Sequence, residues 1–406
     1  MNGVLRWQPV LAASAAVVLA LGTEVQAERK GKDWLKDFKD PNEHPVTLKR
    51  QGYFYVNGRY FTDAEGEHMT GQQYVEFQIP KDVKHPYPVV MIHGGAQTAV
   101  NWMATMDGRE GWRSFFTVNG YAVYLVDQVG RGRSPAYNPL VPYSPADVVT
   151  YGTPFSRPDV LTVERTWTIP EQFMDWPQAS AHTQWPGFNQ PNAGRPGDPY
   201  FDQFFASQIQ SRSDPTGTAT QRDAQDAGAA LLDRIGPAIL ITHSQSGTEG
   251  FLIADRRPDL VKAVVTLEGG WNRGNTALAT WGIVAVPITY SPPVTDPSQL
   301  TFVPQAPDPT GLLRTCVLQA EPARQLPNLQ KMPHLLVVSE AGSIQRHNHC
   351  VSKYLAQAGV ENEYVNLKDV GIRGNAHMLM IEKNALEIAA FVATWIADHV
   401  EKKPKR

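Results

Sequence analysis

The sequence predicts an α/β fold: a mainly parallel central sheet with helices on both faces and two inserted cap segments. Three observations predict it. Short, predominantly apolar runs such as residues 238–242 and 334–339 recur along the chain, as strands buried on both faces do. Segments with apolar residues at helical spacing separate several of these runs, the alternation that builds a parallel sheet covered on both sides. Two long Pro-rich stretches then break the alternation, too long for ordinary connections and too aromatic for disordered linkers.

Taken in order, residues 1–27 read as a secretory signal peptide. Arg6 supplies the positive start, PVLAASAAVVLALG the apolar stretch, and Val25-Gln26-Ala27 a small-residue cleavage site. The apolar run is short for a membrane span and no later one is longer. The mature chain is therefore expected to be soluble, secreted or periplasmic, with no membrane partner once the signal is removed. Residues 28–45 are charged and read as a loose start.

Residues 46–79 are rich in aromatic and β-branched side chains, with a turn at Val56-Asn57-Gly58, and read as antiparallel strands. The runs at 87–92, 120–127, 238–242, 263–267, 334–339 and 363–367 read as buried strands. Helical spacing of Ala227, Leu231, Leu232 and Ile235 predicts a helix over 219–235. Leu386, Ile388, Phe391, Trp395 and Ile396 predict another over 384–399. The core is thus expected in three pieces, 46–134, 219–268 and 333–406, with caps at 135–218 and 269–332. The caps carry Trp167, Trp176, Trp185, Trp271 and Trp281. These suit a bulky apolar or aromatic small-molecule substrate, although cap core is the favoured role for most of them.

A chain of 406 residues with 42% hydrophobic content can bury a large core. Its net charge of -3 survives loss of the signal, which carries one Arg and one Glu. With no basic stripe, zinc-finger spacing or RNA-binding signature, no nucleic-acid partner is expected. Oligomeric state is not legible, a homodimer being the commonest soluble assembly. Cys316 and Cys350 can form one disulfide in an oxidising compartment, but spacing does not say that they meet. The nearby HNHC cluster at 347–350 is too crowded to hold a metal by itself, and no second cluster completes it.

The chemistry centres on ILITHSQSG, residues 239–247. Ser244 follows a buried strand directly, and in open α/β sheets ligands bind beyond the carboxyl ends of strands. It reads either as a helix cap or as a nucleophile elbow, whose common form has glycine two residues before and after the serine. Here those places hold Thr242 and Ser246. A serine nucleophile needs a base, an orienting acid and oxyanion donors, in the chain order Ser, acid, His in α/β-hydrolases.

His377, in GIRGNAHMLM after the last predicted strand, lies where a base would reach across the strand ends. His93 and His243 read as packing or loop-orienting residues, and His182 falls in the first cap. For the acid, Glu268 in VVTLEGG and Glu340 in LLVVSEAGS each end a neighbouring strand. The commoner arrangement favours Glu340, the two glycines beside Glu268 favour that residue, and the choice stays open on this ground. The amides of Gln245 and of Gly95, in His93-Gly94-Gly95-Ala96, are the expected oxyanion donors. Such chemistry requires no cofactor and no metal. The same residues would serve an amide or lactone hydrolase, and the fold can also carry a non-catalytic binding protein.

HSQSG, the HGG-type loop, VDQVGRGRS, GNAHMLM and the stretch Asp107-Gly108-Arg109-Glu110-Gly111-Trp112 together resemble a group of secreted bacterial α/β-hydrolase esterases. The similarity runs from about residue 88 to about residue 397. It implies an α/β-hydrolase fold and a serine esterase acting on a small-molecule ester. It also implies that the acid is the glutamate after the strand following the nucleophile, which is Glu268. One departure stands out: a related esterase has adjacent cysteines at the oxyanion loop, where this chain has Gly95 and Ala96.

Overall fold

The computed structural model describes residues 33–401 apart from 65, 136–154, 213, 215 and 272–278. The signal-peptide reading of 1–27 lies outside the described residues, as do parts of the loose start and of both expected caps.

Eight strands form the central sheet: β1 (Leu48–Val56), β2 (Gln73–Pro80), β3 (Val89–Ile92), β4 (Val123–Asp127), β5 (Ala238–His243), β6 (Val261–Leu267), β7 (His334–Val338) and β8 (Asn362–Asn366). Their order across the sheet is β1-β2-β4-β3-β5-β6-β7-β8. The pairs β1/β2 and β2/β4 are antiparallel, and every later pair is parallel. This mixed, mainly parallel sheet with flanking helices is the α/β-hydrolase fold.

Side chains of a strand alternate between faces, and here both faces meet apolar layers. Val89, Met91, Ile239, Ile241, Leu335 and Val337 join one core, covered by helices α1 (Trp112–Val118) and, C-terminally, Ala385–Ile396. Val90, Ile92, Leu240, Val264 and Leu336 join the other. That second face is covered by the helices Thr218–Ile235, Ser246–Arg256 and Gln345–Gln357. With Pro199–Ala206 as α2, these are α3, α4 and α5, and the C-terminal helix is α6. Two-sided burial explains why the inner strands, such as β3 and β7, read as apolar runs.

The expected strand positions hold to within a few residues. The run at 120–127 becomes a strand only at Val123, because Gly120 (φ +101°) turns the chain out of α1. Residues 46–79 supply β1 and β2 and a separate hairpin, Arg59–Asp63 with Gly66–Thr70. The two Pro-rich stretches are not separate layers where they are described. Trp185, Phe201 and Phe204 enter the α1/α6 core, while Trp281, Ile283, Val284 and Ile288 enter the other. Cys316 and Cys350 are disulfide-bonded, joining the hairpin Phe302–Pro304/Val317–Gln319 to α5.

Register sets the stage for function. Ile92 pairs with Thr242, Leu267 with His243 and Leu267 with Val337. The residues just after β3, β5, β6 and β7 therefore emerge side by side on one rim of the sheet.

Candidate active site

Ser244 occupies the turn between β5 and α4 with φ +56°, a left-handed conformation that a side-chain-bearing residue adopts at a cost. Close approach of neighbouring backbone holds it there. A Cβ on Gly269 would lie 2.5 Å from the Ser244 carbonyl oxygen, and one on Gly94 would lie 2.9 Å from Ser244 Cβ. The two residues that depart from the usual glycine pattern are buried and bonded. Ser246 Oγ accepts the His243 N–H at 2.9 Å and donates to Ile92 O, also at 2.9 Å. Thr242 Oγ1 donates to Val265 O at 3.2 Å. Their hydroxyls thus join β5 to β3 and β6 at the turn.

His377 bridges two of the other predicted residues. Its Nε2 lies 2.9 Å from Ser244 Oγ and its Nδ1 lies 3.3 Å from Glu268 Oε2. Glu268 is wholly buried at the end of β6, again with positive φ, +47°. Its other oxygen, Oε1, accepts from Ser339 N at 2.6 Å and Ser339 Oγ at 2.8 Å. Glu340 points elsewhere: its carboxylate accepts from Arg373 Nη2 at 2.7 Å and Gly374 N at 3.0 Å. The geometry therefore brings Ser244, His377 and Glu268 together and leaves Glu340 bracing the loop that leads to His377.

That loop is braced from two more directions. His243 Nε2 donates to the His377 carbonyl at 2.9 Å, and burial holds the His243 pKa well below its ordinary value, so the ring is neutral. Glu382 accepts from Ala376 N at 3.0 Å and Asn375 Nδ2 at 2.7 Å, and meets His182 Nε2 at 3.2 Å. His182 in turn contacts Glu171 Oε2 at 2.7 Å. Burial alone would lower the His182 pKa, but the bonds to both glutamates outweigh it and hold it at about 9. A buried imidazolium thus ties the described part of the first insertion to the His377 loop.

Gly95 and Gln245 line the same cleft as Ser244, a cavity of about 480 Å³. Ala96 beside them has φ +60°, so the chain turns tightly here without paired cysteines. Arg131 joins the two oxyanion candidates' surroundings. Its Nη1 donates to Gly94 O at 3.0 Å and to Gln128 Oε1 at 2.9 Å, and its Nη2 to Gln245 Oε1 at 2.6 Å. His93 Nε2 accepts the Gln128 N–H at 3.0 Å, so its Nδ1 carries the proton given to Gly94 O at 2.8 Å. Burial and the Arg131 charge lower the His93 pKa to about 4, keeping it neutral.

Of the five predicted tryptophans, Trp176, Trp185 and Trp281 are buried as packing, whereas Trp167 and Trp271 line the cleft. Trp167 also lies nearly parallel to the His377 ring, with centroids 6.1 Å apart. Sequence reasoning missed Arg131 and Ser339, although the quoted motif QVGRGRS contains the first and SEAGS the second. It also missed Glu249, wholly buried in the first turn of α4 with neither carboxyl oxygen hydrogen-bonded among the described residues. Burial, opposed by Arg131, raises its pKa to about 8.

The cysteine and histidine cluster is not open to a metal as it stands. His349 Nε2 lies 3.1 Å from Cys316 Sγ and 3.4 Å from Cys350 Sγ. The two sulfurs are bonded to each other and so are not thiolate ligands.

Comparison with known proteins agrees with this architecture. No family model matches the chain. It is 42% identical over 354 residues to the probable secreted lipase phiG of Fungal sp. (strain ATCC 74256), covering 85% of this chain and 88% of that protein. Among solved structures it is similar to a novel bacterial esterase, with a TM-score of 0.57 and 22% identity over 88% of this chain and 98% of that one. The second likeness bears on the fold alone.

Proposed function

The chain belongs to the esterase/lipase family of α/β-hydrolases, and from that premise we propose that it is a secreted or periplasmic carboxylic ester hydrolase using Ser244, His377 and Glu268. The observation that carries this reading is the His377 ring, 2.9 Å from Ser244 Oγ on one side and 3.3 Å from Glu268 on the other. A hydroxyl is a weak nucleophile until a base within hydrogen-bond reach takes its proton as the bond to carbon forms.

In this mechanism His377 Nε2 accepts the Ser244 proton as Oγ attacks the ester carbonyl. Glu268, fixed by Ser339, keeps the Nδ1 proton in place and stabilises the imidazolium. The amides of Gly95 and Gln245 receive the oxyanion, helped by the positive N-terminal end of α4. His377 returns the proton to the leaving alcohol, and water then attacks the acyl-enzyme through the same base. No cofactor takes part. The described parts of segments 135–218 and 269–332 bring Trp167 and Trp271 to this cleft, and these favour a bulky ester group.

Secretion is supported by the signal-like N-terminus and by the word secreted in the relative's name. The test is turnover of simple aryl esters by Ser244→Ala. Its kcat should fall by about 10⁴-fold or more with the fold intact, on the scale of triad losses. Near-normal hydrolysis by the folded variant would end the proposal.

A further inference from the structure

We propose that Arg157 reads a carboxylate on the substrate, so that the preferred ester carries an acidic group away from the bond that is cleaved. This rests on the ester-hydrolase reading above and names the substrate class of that same site.

Arg157 lines the Ser244 cleft together with Pro158 and Asp159. The same three residues line a second cavity of about 370 Å³, bounded also by Val160, Phe205 and Gln208. Arg157 therefore borders both the reaction cleft and a neighbouring space. A substrate that extends from one space toward the other would run beside Arg157.

Among the described residues, four charged side chains line the reaction cleft: Arg131, Arg157, Asp159 and Asp214. Three are held by the protein itself. Arg131 is bonded to Gly94, Gln128 and Gln245. Asp159 caps a helical turn, accepting from Thr162 N at 2.9 Å and Thr162 Oγ1 at 3.1 Å. Asp214 accepts from Thr220 N at 2.7 Å. Arg157 is exposed, and among the described residues no carboxylate forms an ion pair with it. A guanidinium fork is shaped to take a carboxylate through paired N–H donors. Among the described residues it is the one charged side chain lining this cleft without a hydrogen-bond or ion-pair partner.

The consequence is a preference for half-esters of dicarboxylic acids, or esters of acidic alcohols, over neutral esters of equal length. The test uses aryl half-esters of linear dicarboxylic acids of graded length against aryl alkanoates of matched length. The parent protein, Arg157→Gln, Arg157→Glu and Ser244→Ala are measured at low and high salt. The parent should show a higher kcat/KM for the half-ester at one range of lengths. That ratio should fall about fivefold in Arg157→Gln, the upper end for a solvent-accessible ion pair, and further in Arg157→Glu. High salt should shrink the parent's preference by screening. A Ser244-dependent rate whose ratio is the same in the parent and both Arg157 variants overturns the role of Arg157 and leaves the esterase reading standing. Hydrolysis of both ester classes unaffected by Ser244→Ala overturns the two together.

Discussion

Three side chains with left-handed backbone sit at the ends of adjacent strands: Ala96 after β3, Ser244 after β5 and Glu268 after β6. Strain of this kind costs of order 1–3 kcal/mol per residue and persists only where the surroundings over-determine it. At Glu268 they do, through Ser339 on one oxygen and His377 on the other. Glu268→Gln would present an amide where the imidazole needs an acceptor, and kcat should fall by about 10⁴-fold. Glu340→Gln, which loses only contacts to Arg373 and Gly374, should stay within about tenfold of the parent; steady-state rates on one aryl ester separate the two. Glu249 tests a different quantity. Its folded pKa, raised to about 8 from an ordinary 4.5 by burial, means that the folded protein holds a proton which the unfolded chain has released. Stability should therefore fall as pH rises through that window and level off above it. Glu249→Gln cannot ionise and should flatten this part of the curve, gaining a few kcal/mol relative to the parent at the alkaline end; denaturant melts across the pH range provide the check.

The elements contribute by where they end. The register that aligns Ile92, His243, Leu267 and Val337 lets four loops share one rim, and the loop after β8 brings His377 to meet them. That last loop is pinned to the first insertion by His182 between Glu171 and Glu382. Because the His182 pKa is raised from 6.5 to about 9, its stabilising contribution is complete below the unfolded value and is lost as pH rises through about 9. His182→Gln would leave the buried Glu382 carboxylate and the partly buried Glu171 without their cation, a loss of about 3–5 kcal/mol. Melting temperature and kcat should both drop, the second because the His377 loop loosens; an unchanged kcat would show that the bracing is not transmitted. The inner strands β3, β4, β5 and β7 were legible in the sequence because two-sided burial leaves them few polar positions. Helix α1 was not, since its seven residues Trp112–Val118 are too few to display a period.

At the scale of the whole molecule, the fold class followed from apolar runs alternating with helical segments, and Ser244 and His377 from their places after strands. The residues by themselves left Glu268 and Glu340 level, because both follow buried strands, and only three-dimensional direction separates their side chains. Arg131 and Ser339 escaped notice for the same reason, since each acts through partners distant in sequence; Glu249, whose carboxyl has no hydrogen-bond partner among the described residues, belongs to no spacing that announces chemistry. The tryptophans divide as packing economics would suggest, most of them filling core, two facing the cleft. On the proposed reading, the site depends on one hydroxyl made nucleophilic by a ring delivered from more than a hundred residues away. Mass spectrometry after treatment with a fluorophosphonate measures that most directly. The account predicts one adduct, on the Ser244 peptide, formed quickly by the parent and at least about a hundredfold more slowly by a folded His377→Ala variant. No adduct on the folded parent, or one that forms equally fast without His377, would contradict it.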